Sequence, residues 1–196
     1  MMQVGDVRGY LLFEGESACG ITPDALGERL TGRGVVSIVR ARRDADFGEM
    51  IDAARGAFVN FCHLAGRVTV IGQNEGVLMA LLVAEGYPVE ALVCLDAVLR
   101  PRKQRYALTH LARHARRNLF SVVAPTLIVQ ALDDPTSDPE DARTLYQGIG
   151  ARRAKLMWVK RAGTMRDKDV LEAIIQQTCH INDTGSLAMG HDLCII

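Results

Sequence analysis

The residues with the clearest chemical potential form a turn between an apolar strand and an apolar helix, within residues 67–86. Gly72 and Gly76 bracket Asn74 in the order Gly-x-Asn-x-Gly. In a nucleophile elbow, Gly-x-Ser-x-Gly, the glycines let the helix pass close to neighbouring strands while the central residue sits in a strained turn. Asn tolerates positive φ well, but its amide is a poor nucleophile. The pattern therefore predicts an elbow backbone that lacks the reactive group.

A basic segment at residues 97–124 is the one strong charge asymmetry of the chain, because it contains no acidic residue. Its cations are Arg100, Arg102, Lys103, Arg105, Arg113, Arg116 and Arg117. Such a segment above the carboxyl ends of strands could bind a phosphate, a carboxylate or a nucleic-acid backbone, and Arg100, Arg102 and Arg105 are the candidate ligand-binding residues. The alternative is a solvated amphipathic helix that turns five apolar side chains inward. These are Leu108, Leu111, Ala112, Ala115 and Leu119.

Metal and cofactor sites are not expected. His110 and His114 have the i, i+4 spacing of a metal pair but no third ligand, which favours a solvated helix face. A cluster of acids lacks the Gly and terminal Glu of an EF-hand, so a helix start explains it better. Its members are Asp133, Asp134, Asp138, Glu140 and Asp141.

The spacing of apolar runs predicts an α/β domain. Strands are expected at residues 9–13, 34–39, 67–71, 91–96, 126–131 and 155–160. Helices are expected at residues 22–31, 47–64, 75–86, 103–118, 138–149 and 167–179. Right-handed crossovers then give a three-layer, doubly wound, mostly parallel sheet of about six strands. Residues 1–183 form this single domain, and residues 184–196 are assigned to a C-terminal tail.

Several segments between Tyr10 and Ile175 carry a family resemblance. Residues 11–16, Leu-Leu-Phe-Glu-Gly-Glu, are similar to a strand that ends in His-Gly. Residues 124–134 resemble a Pro-Thr-Leu strand that ends in a catalytic Asp, and residues 158–164 resemble a strand that leads to a catalytic His. Together with the elbow, these segments resemble the monoglyceride lipase and bacterial carboxylesterase branch of the α/β-hydrolases. The resemblance implies a reduced α/β-hydrolase fold with a short lid at the basic segment.

The resemblance also implies where a catalytic triad would lie. Asn74 takes the nucleophile position, Asp134 the acid position and Thr164 the base position, so only the acid has its catalytic residue type. The backbone N–H groups of Glu16 and Glu75 take the oxyanion-hole positions, and Glu14 replaces a residue that points into the site. Ester hydrolysis needs both a nucleophile and a base, and loss of either costs several orders of magnitude in rate.

Composition excludes several classes of protein. The chain has 196 residues, 48% of them hydrophobic, and 23 basic residues balance 23 acidic residues, so no general attraction to nucleic acid or membrane is expected. Its five cysteines form no metal or disulfide pattern, and no stretch is long and apolar enough to span a bilayer. A cytoplasmic protein without a cofactor is expected. Its expected partners are a small acyl or anionic ligand and a second copy of the chain.

Three functional hypotheses remain open at the level of sequence. The first is a non-hydrolytic α/β-hydrolase domain that binds a ligand or a protein. The second is an active carboxylesterase with unconventional groups, such as Cys19, Asp134 and a histidine of the tail region, His180 or His191. The third is an anion or nucleic-acid binder that uses the basic segment.

Overall fold

Seven parallel strands form the central sheet of the protein. The computed structural model describes residues 7–15, 22–40, 42, 44–101, 106–160, 168–184 and 193–195. The strands are β1 (Arg8–Glu14), β2 (Val35–Arg40), β3 (Arg67–Gln73), β4 (Ala91–Leu95), β5 (Thr126–Ala131), β6 (Ala154–Val159) and β7 (Leu193–Ile195). Their spatial order is β2-β1-β3-β4-β5-β6-β7, and every neighbouring pair is parallel.

The six expected strands are all present, and residues 193–195 add a seventh. These three residues, which the sequence analysis placed in the tail, pair with β6 and form one edge of the sheet. The fold prediction of a three-layer, parallel α/β domain is confirmed.

Six helices cover the two faces of the sheet. They are α1 (Pro23–Thr31), α2 (Phe47–Phe61), α3 (Gly76–Gly86), α4 (Tyr106–Asn118), α5 (Pro139–Gly148) and α6 (Lys168–Thr184), with a 3-10 turn at Leu119–Ser121. Side chains of α2, α3, α4 and α5 share one apolar cluster, and those of α1 and α6 share the other. Helix α3 is buried on all sides from Gly76 to Ala84, so it is the central helix of its layer.

The helix starts follow the capping signals in the sequence. Thr22 accepts a hydrogen bond from the Ala25 N–H, 3.3 Å, and Pro23 occupies the first helical turn. Asp138 accepts one from the Glu140 N–H, 2.9 Å, ahead of Pro139. These caps fix where α1 and α5 begin, and α5 in turn fixes the loop that follows β5.

The basic segment contributes a packed helix to the domain. The five apolar side chains that the pattern turned inward are all buried, and α4 contacts α2 and α3. Within the described ranges no helix is long and apolar enough to cross a membrane.

Candidate functional site

The turn after β3 has the backbone of an elbow. Asn74 has φ of 51°, one of two non-glycine residues with positive φ in the described chain. A Cβ added to Gly72 would lie 2.5 Å from the Val77 Cα, and a Cβ on Gly76 would overlap the Phe13 carbonyl oxygen. Glycine is therefore required at both positions, because α3 crosses β1 and β3 at backbone contact distance.

The side chain at the centre of the elbow is buried rather than exposed. Asn74 has a solvent-exposed fraction of 0%. Its Nδ2 donates to the Asp96 carbonyl oxygen and to the Thr136 Oγ1, both at 3.4 Å, while its Oδ1 has no hydrogen-bond partner among the described residues. The position that would carry a nucleophile is packed into the protein.

The carboxylate of Asp134, at the acid position, accepts hydrogen bonds from the turn that follows it. Asp134 Oδ1 accepts from the Thr136 N–H, 2.8 Å, and from the Thr136 hydroxyl, 2.7 Å. Asp134 Oδ2 accepts from the Ser137 hydroxyl at 3.0 Å, and the residue is 5% exposed. Asn74 and Asp134 are thus brought together through Thr136. Thr164, the residue at the base position, lies outside the described residues.

A second buried acid, which sequence reasoning did not single out, lies beside the elbow. Asp96 follows β4 with φ of 47° and is fully buried. Its Oδ1 accepts from the Ala131 N–H at 2.8 Å, whereas its Oδ2 has no described partner. Burial raises the pKa of Asp96 to about 7, and the negative charges of Asp134 and Asp133 act in the same direction. The sequence signal was a lone acid at the end of an apolar strand, next to the elbow strand.

The residues at the oxyanion positions are only partly described. Glu14 pairs with Arg40, which also holds both carboxylate oxygens of Asp24 at 2.9 and 3.0 Å. Gly15 lies close to the start of α3, since a Cβ added to it would be 2.7 Å from the Glu75 backbone nitrogen. Glu16 lies outside the described residues. Glu14 is therefore part of a surface ion-pair network.

A cavity of about 500 Å³ opens beside the elbow, at the carboxyl ends of β1 and β2. Its apolar part consists of Met50, Met79, Ala107 and Leu108, which are buried. Charged residues surround this apolar part, namely Glu14, Arg40, Arg42, Asp44, Asp46 and Glu75. Neither Asn74 nor Asp134 is among its described lining residues. The open space therefore lies next to Asn74 and Asp134 and not over them.

Solved structures with a similar architecture include lipolytic enzymes. A structure reported for LipS and LipT, two metagenome-derived lipolytic enzymes, has a TM-score of 0.69 at 18% identity, covering 90% of this chain and 95% of that one. A monoacylglycerol lipase of Paleococcus ferrophilus has a TM-score of 0.71 at 12% identity, with 88% and 94% covered. Est1E from Butyrivibrio proteoclasticus gives 0.66 at 15% identity, with 89% and 87% covered.

The chain has the α/β-hydrolase fold. No family model matches it, and no curated protein matches it in sequence. The structural likeness extends over about nine-tenths of both chains, although the sequences are only 18% and 12% identical.

Arg100, one of the candidate anion-binding residues, already has a carboxylate partner within the protein. The Arg100 Nε lies 2.9 Å from Asp141 Oδ1. Asp141 is 1% exposed, and its Oδ2 also accepts from the N–H groups of Leu99, 2.8 Å, and Arg100, 3.0 Å. Arg100 therefore helps to fix the loop after β4. Arg102 and Arg105 lie outside the described residues.

The acid cluster that follows β5 has structural roles as well. Asp134 closes its turn, Asp138 caps α5 and Asp141 anchors the loop after β4. In the described part of the chain, no group of three or more His, Cys, Asp or Glu side chains could hold a metal ion.

Two described histidines have partners of their own on or beside α4. His114 contacts Glu85 at 2.9 Å, and the rings of His110 and Tyr106 meet at a tilt with their centroids 4.2 Å apart. Burial raises the pKa of the Cys94 thiol, so it is inert, and Cys62 is an exposed free thiol. Cys19, His191 and the side chain of His180 are outside the described residues.

Proposed function

We propose that this protein is a non-hydrolytic member of the α/β-hydrolase fold that binds a small ligand, through an apolar portion, in the cavity beside its elbow. The burial of Asn74 is the observation that supports the absence of hydrolysis. A nucleophile must reach the substrate carbonyl, but this side chain is fully enclosed and its amide is held by Asp96 and Thr136.

The hydrogen bonds of Asp134 support the same conclusion. In a triad, the acid orients the base through a hydrogen bond to its ring nitrogen. Here both carboxylate oxygens accept from Thr136 and Ser137, in the turn that follows β5. With an amide at the nucleophile position and Thr164 at the base position, neither proton transfer of ester hydrolysis has a group to perform it.

The size and the lining of the cavity suit a ligand with an apolar portion. Its volume, about 500 Å³, is within the range of small-molecule pockets, and its walls combine apolar side chains with a polar rim. Two methionines, Met50 and Met79, supply polarizable surface that adapts to different shapes. The rim arginines are paired, Arg40 with Glu14 and Asp24, and Arg42 with Asp44. An acyl chain or a ring therefore fits better than a ligand bound chiefly by negative charge.

The absence of hydrolysis is tested with p-nitrophenyl acetate and p-nitrophenyl butyrate. We expect the wild-type protein and the Asn74→Ala variant to give the same background rate, since Asn74 performs no chemistry. Turnover by the wild type that Asn74→Ala abolishes would refute the proposal. Turnover that survives Asn74→Ala but is lost in Cys19→Ser would instead support the unconventional esterase.

Ligand binding is tested with decanoic acid and 1-decanol, a pair that shares a chain and differs in charge. Tyr106→Trp places a fluorescent reporter at the rim, where Tyr106 is 76% exposed. We expect both probes to change its emission and to stabilise the protein against heat. Ala45→Trp, which fills the cavity mouth, should weaken binding, whereas Val123→Trp, ahead of β5 at the opposite end of the sheet, should not. Equal binding by both variants would place the ligand elsewhere.

A further inference from the structure

The strand β2 forms the outer edge of the sheet opposite β7. In the described chain it pairs on one side only, with β1, so about half of its backbone N–H and C=O groups point away from the sheet. It has six residues, whereas the other edge, β7, has three. Long edge strands usually carry proline, a bulge or an unpaired charge that blocks association, because an open edge pairs with other chains.

None of these protections is present in the sequence Val-Val-Ser-Ile-Val-Arg of β2. Val35 and Val39 pack against the cluster under α2 and α3, while Val36 and Ile38 pack against the cluster under α1. All four side chains remain partly exposed, in contrast to the buried residues of the interior strands. The edge therefore combines open backbone groups with β-branched side chains on both faces.

The strand is complementary to itself in the antiparallel direction. A two-fold axis perpendicular to the sheet at Ser37 places this residue opposite its own copy. The same axis pairs Val35 with Val39 on one face of the joined sheet. On the other face it pairs Val36 with Ile38. Cross-strand pairs of β-branched residues are the pairs that stabilise antiparallel sheets.

The charges at the two ends of β2 also suit this arrangement. At one end Arg33 pairs with Glu172 at 2.9 Å. At the other end Arg40 pairs with both Glu14 and Asp24, so this network contains more carboxylates than cations. Antiparallel pairing brings the Arg33 end of one copy beside the acidic network of the second copy.

From these features we infer that β2 is a self-association surface, through which two copies of the chain join antiparallel at Ser37 into one continuous sheet. The closed two-fold symmetry pairs the β2 edge of one copy with the β2 edge of the other, so this contact gives a dimer rather than a filament. This inference does not depend on the ligand-binding proposal, because the pairing residues Val35, Val36, Ser37, Ile38 and Val39 are not among the described residues that line the cavity. Only the end of β2, at Arg40, reaches the described lining.

The first test is cross-linking at the axis. In a Cys62→Ser background, Ser37→Cys places two thiols at directly opposite positions, within reach of a disulfide. We expect mild oxidation to convert most of this variant to a covalent dimer, while Thr109→Cys, an exposed control on α4, forms little. Ser37→Cys differs from the wild type by one atom, so loss of folding does not complicate the result.

The second test uses charge at the axis. Ultracentrifugation of the wild type should give twice the chain mass of 21.4 kDa. Ser37→Lys and Ser37→Asp should each weaken dimerisation by at least about tenfold, because like charges then face each other, and an equal mixture of the two should restore it. A monomeric wild type, a dimer indifferent to Ser37→Lys, or cross-linking of Ser37→Cys no better than the control would each overturn the inference.

Discussion

The buried carboxyl group of Asp96 lowers the free energy of unfolding as the pH rises. An acid whose pKa is lowered by folding has the opposite effect. Its pKa is about 7 in the folded protein, against an ordinary value of 3.8. The folded state therefore binds this proton more tightly than the unfolded state does. The stabilising contribution is complete below the unfolded pKa and is lost as the pH rises through about 7.

The size of this effect follows from the two pKa values. The full difference corresponds to about 4 kcal/mol of unfolding free energy, and the part that falls between pH 5 and pH 8 is about 2–3 kcal/mol. Asp96→Asn is the appropriate variant, because Asn tolerates the positive φ of 47° and keeps an acceptor for the Ala131 N–H. The variant removes the titration and leaves the backbone and one hydrogen bond in place.

Urea unfolding at a series of pH values measures the prediction. From pH 5 to pH 8, the wild type should lose about 2–3 kcal/mol relative to Asp96→Asn. Asp52→Asn, on the exposed side of α2, is the control and should follow the wild-type curve. Parallel curves for wild type and Asp96→Asn would refute the reasoning, since they would mean that Asp96 is already ionised in the folded protein at pH 5.

Three further pairs of substitutions test the geometry of the site by urea unfolding. Asn74→Ala should be less stable than Asn74→Gly by about 1 kcal/mol, because only glycine adopts φ of 51° without cost. A more stable Asn74→Ala variant would contradict backbone strain at the elbow. Gly76→Ala should lower the free energy of unfolding by about 2 kcal/mol or more, because its Cβ would overlap the Phe13 carbonyl. Gly86→Ala should leave the stability unchanged, because its Cβ would meet no atom within 4 Å. Equal losses of stability in the two variants would exclude the close helix crossing. Asp141→Ala should cost about 2–4 kcal/mol, because it removes the acceptor of the buried Leu99 N–H and of the partly buried Arg100 N–H, together with the ion-pair partner of the Arg100 guanidinium. The exposed Glu140→Ala should cost under about 0.5 kcal/mol. A small effect of Asp141→Ala would mean that the loop after β4 reorganises freely.

The secondary structure could be predicted closely because local signals and burial agree. Strands β3 and β4 are continuous apolar runs of the kind that parallel sheets bury on both faces. Thr22 and Asp138 precede prolines and mark the starts of α1 and α5. The strand β7 was missed because its three residues, at 193–195, are too few to show a period.

The candidate site could be predicted only at the level of backbone. The Gly72–Gly76 spacing predicts the elbow because the required close contacts involve local chain geometry. The burial of Asn74 could not be predicted, since it depends on Thr136, which reaches the elbow from the turn after β5. The cavity was not predicted either, because its walls come from four separate parts of the chain.

The hydrogen bonds of Asn74 connect the elbow to the rest of the site. An exposed serine at the elbow needs open space above it, and that space must be lined by groups that accept its proton. In this chain Thr136 bonds both Asp134 and Asn74, and Asp96 bonds the neighbouring strand and accepts from Asn74 through its carbonyl. Replacing Asn74 by serine alone would leave a hydroxyl enclosed in the protein, while Asp134 would still be held by Thr136 and Ser137. The amide at the elbow, the turn after β5 and the buried Asp96 therefore form one interdependent polar cluster.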